Sequence, residues 1–276
     1  MEEMQNQETP KMSSVEAEEF EMSHTDKLVG VFAEPGKTFS KMSKFPPKTA
    51  DWIIPLVIIM IVALLSNIVM MSNPTIRMSV TEKTMKQVEK QFNDAIAKGQ
   101  MTQEQANQQL ESVRDRVSQS PTVASIALQA IGIVFVTFIV FFIVSGVFFL
   151  FAKSALKGEG TYKEAMVSYG LPHYIVVIQL IVMVIIAFVT NKFLSETSIG
   201  TFIDSDKTTI AGFLLSKLDV FTIWFYAVVA IGFAKMFKSN NTVKYVTTIF
   251  GIWIGFSLIL FFLGKAVPIL SWFTAM

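Results

Sequence analysis

The sequence WIIPLVIIMIVALLSNIVMM, residues 52–71, contains no charged side chain. A helix rises about 1.5 Å per residue, so these residues would span about 30 Å, the thickness of the hydrocarbon core of a bilayer. Pro55 lies in the first turn, where its missing N–H costs little. The stretch therefore predicts a membrane-spanning helix over residues 52–71.

Four further apolar stretches follow, at residues 123–152, 175–190, 218–237 and 245–263. Hydrophobic residues make up 52% of the chain and charged residues only 16%, a balance that does not suit a water-soluble surface. We therefore predict an all-α membrane protein built as a bundle of five transmembrane helices. The short turn sequence at 238–242 predicts that the last two helices are antiparallel.

The N-terminal residues 1–24 are rich in glutamate and contain no apolar core. This composition predicts a disordered acidic tail and not a signal peptide. Residues 25–276 then form the membrane domain. Before the first span, Phe39, Met42 and Phe45 share one helical face and lysines occupy the other, which is typical of a segment that lies on an anionic leaflet. A purely connecting role remains open.

The polar segment 77–120 between the first two spans shows helical periodicity twice. Its apolar positions are Met85, Val88, Phe92 and Ile96, then Ala106, Leu110, Val113 and Val117. Ser79 with Glu82 and Thr102 with Gln105 have the spacing of capping boxes. We predict an extramembrane helical hairpin inserted on the extracytoplasmic side, either packed on itself or used as a partner-binding arm.

Lysine distribution predicts the orientation of the bundle. Lysines precede the first span, follow the second and crowd the short loop after the fourth: Lys37, Lys41, Lys44, Lys48, Lys153, Lys157, Lys163, Lys235, Lys238 and Lys244. These segments, and with them the N-terminus, are predicted to be cytoplasmic.

Composition also argues against several classes of site. The chain has no cysteine and two histidines, so thiolate catalysis and cysteine-containing metal sites are excluded, and the spacing of carboxylates around the two imidazoles does not predict a metal site. The net charge of +1 gives no global field for nucleic acid. Gly36-Lys37-Thr38 lacks the earlier glycine of a phosphate-binding loop, so nucleotide binding is not expected. We predict no catalytic residues, no metal site and no cofactor.

Amides at membrane depth are the most informative polar residues of the spans. Transporters and pumps usually carry ionisable groups there, and the five stretches carry none near their centres. Asn67, Gln129 and Gln179 are predicted to form hydrogen bonds between helices. The alternative is that these three side chains line a path for a small solute.

Gly251 and Gly255 form a small-xxx-small pattern in the last span, which is typical of close helix packing. Ala230 and Ala234 repeat the spacing in the fourth span. Because a short loop joins the two spans, we expect the glycines to pack within one chain, and a homodimer is the alternative.

The sequence GEGTYKEAMVSYGLP, residues 158–172, lies between the second and third spans. Thr161 and Glu164 have capping-box spacing, and Gly170-Leu171-Pro172 ends the pattern, so a short interfacial or re-entrant helix is predicted. A working surface, if the chain has one here, would comprise Tyr162, Glu164, Tyr169, Pro172 and His173. The alternative is a structural connector.

Together with five spans, VFAEPGKTFSKM at 31–42, DWIIPL at 51–56 and the 158–172 sequence resemble the Yip1 domain family, in a bacterial form. The resemblance covers about residues 28–265, although the 77–120 insertion is not part of a minimal member. It implies a five-helix membrane domain with a cytosolic N-terminus. Eukaryotic relatives bind Rab-type GTPases in vesicle formation, which a bacterial cell lacks, and bacterial relatives are expected beside membrane transporters or in envelope maintenance.

These observations favour a non-enzymatic protein of the bacterial cytoplasmic membrane that scaffolds or modulates another membrane complex. Its expected partners are the lipid bilayer and a membrane protein, with transporters as one class. A small-solute transporter or channel is the alternative. An intramembrane enzyme would need a nucleophile–base pair or a metal cluster, for which the sequence offers no candidate.

Overall fold

The computed structural model describes residues 21–118 and 122–266, and this part of the chain is helical apart from one isolated bridge between Ser198 and Asp219. Along the chain the helices are α1 (His24–Ala33), α2 (Pro35–Met42), α3 (Ala50–Ser72), α4 (Pro74–Ala97), α5 (Gln103–Ser118), α6 (Val123–Ser154), α7 (Tyr162–Gly170), α8 (His173–Thr190), α9 (Ile199–Phe202), α10 (Ile210–Lys217), α11 (Val220–Met236) and α12 (Thr242–Ala266).

Among the described residues, four helical stretches are long and apolar enough to cross a membrane: Ala50–Ser72, Val123–Ser154, Tyr162–Thr190 and Thr242–Lys265. The third joins α7 to α8, so the span predicted at 175–190 is part of a longer helical unit. The span predicted at 218–237 is a shorter apolar helix, Val220–Met236. The chain is therefore an all-helical, multi-pass membrane protein with four long apolar helices and one shorter one.

The two ends of the bundle carry different helices. Helices α1, α2 and α7 lie at the end where α3 begins, which we call the N-terminal end. Helices α4, α5, α9 and α10 lie at the opposite end, which we call the hairpin end. There α4 contacts the connection between α8 and α11: the Phe193 amide donates to Ser79 Oγ at 3.2 Å and Lys90 Nζ donates to Thr208 Oγ1 at 3.1 Å.

The centre of the bundle is α11, which packs against α2, α7, α8 and α12. Much of its length is buried, including Val229, Ala230, Phe233 and Ala234, each at 0% exposure. A Cβ on Gly232 would lie 3.0 Å from the Phe39 ring and 3.2 Å from the Ser168 carbonyl oxygen. Small residues of α11 therefore let α2 and α7 approach closely, and eight of its 17 residues are buried.

The predicted helical hairpin is present as α4 and α5. Met85 and Ala106 are buried between its two arms, which supports the self-packed interpretation. Thr102 and Gln105 form the predicted capping box, with backbone-to-side-chain distances of 3.0 and 3.2 Å. The cap predicted at Ser79 is wrong, because α4 begins at Pro74 with Asn73 as its N-cap. Val117 lies in α5, but its side chain is outside the described part.

The segment before α3 is folded against the bundle. Most of the predicted tail lies outside the described residues, but Ser23 forms a capping box with Asp26 and His24 begins α1. Phe39 and Met42 are 0% and 6% exposed, because the apolar face of α2 packs on α11. The prediction that this face lies on a leaflet is therefore wrong.

Helix α6 is attached to the bundle by only half of its length. Its buried residues are Phe141, Ser145, Phe148 and Ala152, all in the C-terminal half. The N-terminal half is exposed, with Val123 at 85%, Leu128 at 71% and Phe135 at 65%. Within the described chain, 123–140 therefore has no buried residue.

Candidate functional site

The start of α7 is fixed by two local interactions. Thr161 and Glu164 form the predicted capping box, in which the Thr161 amide donates to Glu164 Oε2 at 3.0 Å. The Tyr162 hydroxyl donates to the carbonyl oxygen of Phe142 at 3.0 Å and lies 3.1 Å from Ser145 Oγ. Tyr162 and Glu164 are half-buried. Glu164 caps the start of α7, and Tyr162 bonds α7 to α6.

The end of α7 lies inside an aromatic cluster. Tyr169 is 6% exposed, and its ring centroid is 5.0 Å from that of His173. His173 packs edge-on against Phe225 at 5.0 Å, and its Nδ1–H donates to the Tyr169 carbonyl oxygen at 2.9 Å. Pro172 is buried at the N-cap of α8. Tyr169 and Pro172 therefore cannot belong to an exposed working surface, and the geometry of these residues favours the connector interpretation.

A buried ion pair at the N-terminal end was not predicted from the sequence. Lys27 of α1 donates from Nζ to both carboxylate oxygens of Asp51 in the first turn of α3, at 2.9 and 2.8 Å. The two residues are 4% and 3% exposed. A charge buried to this degree requires its partner. The pair therefore fixes α1 to the start of α3.

Further polar groups surround this pair. His24 Nε2 lies 2.7 Å from the Tyr174 hydroxyl, and its Nδ1 lies 3.6 Å from Asp51. Glu21 pairs with Lys48 at 2.8 Å, and the hydrogen bond from Lys48 lowers the pKa of the Glu21 carboxyl. These contacts join α1, α3 and the start of α8 into one unit.

A second polar network lies at the hairpin end. Asp219 is 2% exposed and caps α11, because its Oδ1 accepts from the Phe221 and Thr222 amides at 2.9 and 3.0 Å. Its Oδ2 accepts from Thr197 Oγ1 at 2.7 Å and from Gln179 Nε2 at 3.2 Å. Gln179 therefore bonds α8 to the start of α11, as the predicted interhelical role requires.

The other two amides do not join this network. Asn67 is half-buried on α3 and Gln129 is exposed on the free half of α6. Neither side chain has a hydrogen bond to another described residue. The three amides thus lie on three helices, and among the described residues only Gln179 reaches a polar partner.

The glycine pattern of α12 faces away from its neighbour. Helices α11 and α12 pack together as an adjacent pair. However, a Cβ on Gly251 or Gly255 would have no described atom within 4 Å, whereas Ala230 and Ala234 are fully buried. Among the described residues, the within-chain contact predicted for the glycines is not formed. The sequence could not show this, because a helix that is apolar all round gives no signal of which face meets its partner.

Sequence reasoning missed Lys27, Asp51 and Asp219 as structural centres. The signal that could have found the two carboxylates is position: Asp51 lies in the first turn of α3 and Asp219 immediately precedes α11, and a carboxylate buried there must find a cation or backbone amides.

The model of the Yip1 domain family matches residues 29–264, more than four fifths of the chain. No curated protein and no solved structure matches the sequence. The matched region begins within α1 and ends within α12, so it contains every apolar helix and the hairpin.

Proposed function

The chain belongs to the Yip1 domain family, and from this premise we propose that it is a non-enzymatic membrane scaffold that assembles or modulates another membrane complex. The first class of partner to test is a transporter of the same membrane, and a contribution to envelope organisation would follow from such an assembly. The family consists generally of non-enzymatic membrane trafficking proteins, which agrees with this role.

The observation that carries the proposal is the unpartnered half of α6. Helix α6 has 32 residues, about 48 Å, so much of its N-terminal half lies within the bilayer when its C-terminal half packs on the bundle. Leu128 and Phe135 are exposed there, and Gln129 exposes an amide that lipid tails cannot satisfy. A helix of another membrane protein would cover this face and supply partners for the amide.

A solute path is the weaker alternative. Gln179 donates to Thr197 and Asp219, so its amide hydrogens are engaged in holding helices together. Gln129 faces outward on α6 rather than toward Asn67 or Gln179. No geometric feature of the described residues favours transport through the bundle.

We further propose that α11 crosses the membrane as a fifth helix and that the N-terminal end faces the cytoplasm of a bacterial cell. Eleven lysines and six carboxylates lie at this end in the described residues, whereas eleven bases and ten acids lie at the hairpin end. The positive-inside rule favours the first end as cytoplasmic.

The chain has no cysteine, so single cysteines report topology without background. Ser239→Cys lies at the N-terminal end and Lys98→Cys at the hairpin end. In intact cells an impermeant maleimide should label the Lys98→Cys variant, and it should label Ser239→Cys only after lysis. The reverse pattern would overturn the orientation, and labelling of both before lysis would overturn the five crossings.

The scaffold proposal is tested by purification of the full chain in mild detergent from its own membranes. We expect one membrane protein to co-purify in fixed stoichiometry and to return the chain in the reciprocal purification. Gln129→Leu should reduce this recovery, and Gly132→Ala, one turn away on the same helix, should not. Recovery of the chain alone from repeated preparations, together with solute flux in reconstituted vesicles, would replace the scaffold with the transporter.

A further inference from the structure

Two connections at the N-terminal end form a single surface. The connection 155–161 follows α6 and the connection 237–241 follows α11. The Glu159 amide donates to the Phe237 carbonyl oxygen at 3.2 Å. The Phe237 ring also lies 2.8 Å from the position of a Cβ on Gly158 and 2.7 Å from that on Gly160. Because the two glycines have no side chain, the Phe237 ring packs directly on them. Side chains from both connections therefore lie together.

Six lysines surround this surface, and we call them the lysine patch: Lys153, Lys157, Lys163, Lys235, Lys238 and Lys244. Five of them are exposed and Lys235 is half-buried. The acids in the same segments are Glu159 and Glu164, and Glu164 is engaged in the α7 capping box. None of the six ammonium groups forms an ion pair with a carboxylate in the described part of the chain. The patch therefore has a local excess of positive charge.

Lys157 and Lys238 adopt a backbone conformation that normally selects glycine. Their φ angles are 55° and 56°, in the left-handed region, and each lies just beyond the end of a helix. The helix ends close with hydrogen bonds from Gly158 N to Ala152 O and from Ser239 N to Ala234 O. Glycine would satisfy this geometry without strain. Lysine at both positions supplies a charge that the turn itself does not need.

A polar group lacks a partner directly beneath the patch. The Tyr245 side chain is 1% exposed, and its buried hydroxyl has no hydrogen-bond partner within the described structure. This hydroxyl occupies the space that a Cβ on Gly158 would take, next to Lys157 and Glu159 in sequence. An unsatisfied buried donor destabilises the fold, and an anionic oxygen entering beside Gly158 would satisfy it.

The position of the lysine patch along the membrane normal indicates which anion it binds. Two candidate spans meet it at their ends, with α6 ending at Ser154 and α12 beginning at Thr242. Lipid headgroup phosphates occupy this level of a bilayer. We propose that the lysine patch is a binding site for the phosphate of anionic lipid headgroups.

The test uses the full chain reconstituted in nanodiscs of phosphatidylcholine with increasing phosphatidylglycerol of the same acyl chains. Thermal unfolding and native mass spectrometry report stabilisation and the number of bound lipids. The wild-type protein should show a rise in Tm and retained phosphatidylglycerol, both weakened by salt. Lys157→Gly with Lys238→Gly should keep or raise Tm in pure phosphatidylcholine and weaken the phosphatidylglycerol response by about tenfold.

Lys98→Gln with Lys192→Gln removes two exposed lysines from the hairpin end and serves as the matched control. An equal loss in this control, or a full response in the glycine variant, would overturn the proposal. Lys163→Gln with Lys244→Gln provides a second variant if the glycine variant fails to fold, and the same criteria apply. Glycerol phosphate and an acidic peptide are tested in parallel, and equal protection by either would show a soluble anion or a protein as the ligand.

Discussion

At the scale of single residues, the fold depends on charged groups that have been removed from solvent together. Lys27 donates two short hydrogen bonds to the Asp51 carboxylate while both residues are almost fully buried, and the two are separated by 24 positions in sequence. A buried pair of this kind contributes little net stability over apolar residues, but removal of one member leaves an uncompensated charge. The pair is therefore best understood as specifying how α1 docks on α3.

This interpretation predicts a specific pattern of stability. Lys27→Met and Asp51→Leu should each lower the free energy of unfolding by about 3–5 kcal/mol. The double variant should recover most of that loss, because neither charge then remains unpaired. Thermal or denaturant unfolding of the full chain in one detergent measures the free energy of unfolding of the wild-type protein, the two single variants and the double variant. Additive losses in the double variant would show that the two residues act separately.

Sequence reasoning reaches some residues and not others for a physical reason. The capping boxes at Thr102 and Thr161 were predictable because both partners lie within one turn. The partners of Lys27 and Asp219 lie on other helices, so their identities depend on packing. The exposed direction of Gly251 also depends on which face of α12 meets α11, and an apolar helix gives no such signal.

At the scale of elements, α7 acts as a wedge between three helices. It packs against α3, α6 and α11, and its C-terminal residues are buried. A Cβ on Gly170 would lie 2.7 Å from the Trp52 Cα, which is a backbone atom that cannot rotate away. The close approach of α7 and α3 therefore requires glycine at this position.

Gly170→Ala should consequently separate α7 from α3 and destabilise the chain by about 1–3 kcal/mol. Gly132→Ala is the matched control, since a Cβ there meets no described atom within 4 Å and alanine favours the helix. Unfolding of both variants in the same detergent checks the difference. Equal stability of Gly170→Ala and the wild-type protein would contradict the wedge role.

The connection between α8 and α11 should be sensitive to acid. Burial raises the pKa of Glu196, but hydrogen bonds from Ser198 and the Lys207 ammonium outweigh it, so the pKa is lowered from 4.5. A lowered folded-state pKa means that the carboxylate stabilises the fold above about pH 4.5 and that this stabilisation is lost as pH falls below it.

Amide hydrogen exchange across residues 196–207 should therefore accelerate at acid pH more in the wild-type chain than in Glu196→Gln, after correction for intrinsic rates. Glu82→Gln provides the control, because its ion pair with Lys86 is exposed on α4 and contributes little. An identical pH profile of hydrogen exchange in the wild-type chain and in Glu196→Gln would show that Glu196 does not contribute to the acid response.

Elements were predictable to different degrees from the sequence. Uninterrupted apolar runs gave α3, α6 and α12 nearly their full lengths, and helical periodicity gave the hairpin. The apolar run at 218–237 likewise matches α11, Val220–Met236, within two residues at each end. The joined α7–α8 unit was not anticipated, because Gly170-Leu171-Pro172 suggested a break before the third span. The apolar face of α2 has the same pattern whether it meets a leaflet or a helix.

At the scale of the whole molecule, a compact group of helices carries one helix that is only half attached. Helices α3, α8, α11 and α12 form a contiguous packed series, with α1, α2 and α7 closing its N-terminal end. In the described chain the buried residues of α6 begin at Phe141, and residues 123–140 contain none. Such an arrangement provides a rigid body and a separate helical face for association, as a membrane scaffold requires.

Site-specific photo-crosslinking in native membranes tests this arrangement most directly. A photoreactive residue is placed at Leu128 or Phe135 on the free half of α6, and at the equally exposed Leu150 on the attached half. We predict a discrete adduct with one membrane protein from Leu128 and Phe135, and lipid adducts alone from Leu150. Lipid adducts alone from all three positions would contradict the proposal that this chain is a scaffold that engages its partner through α6.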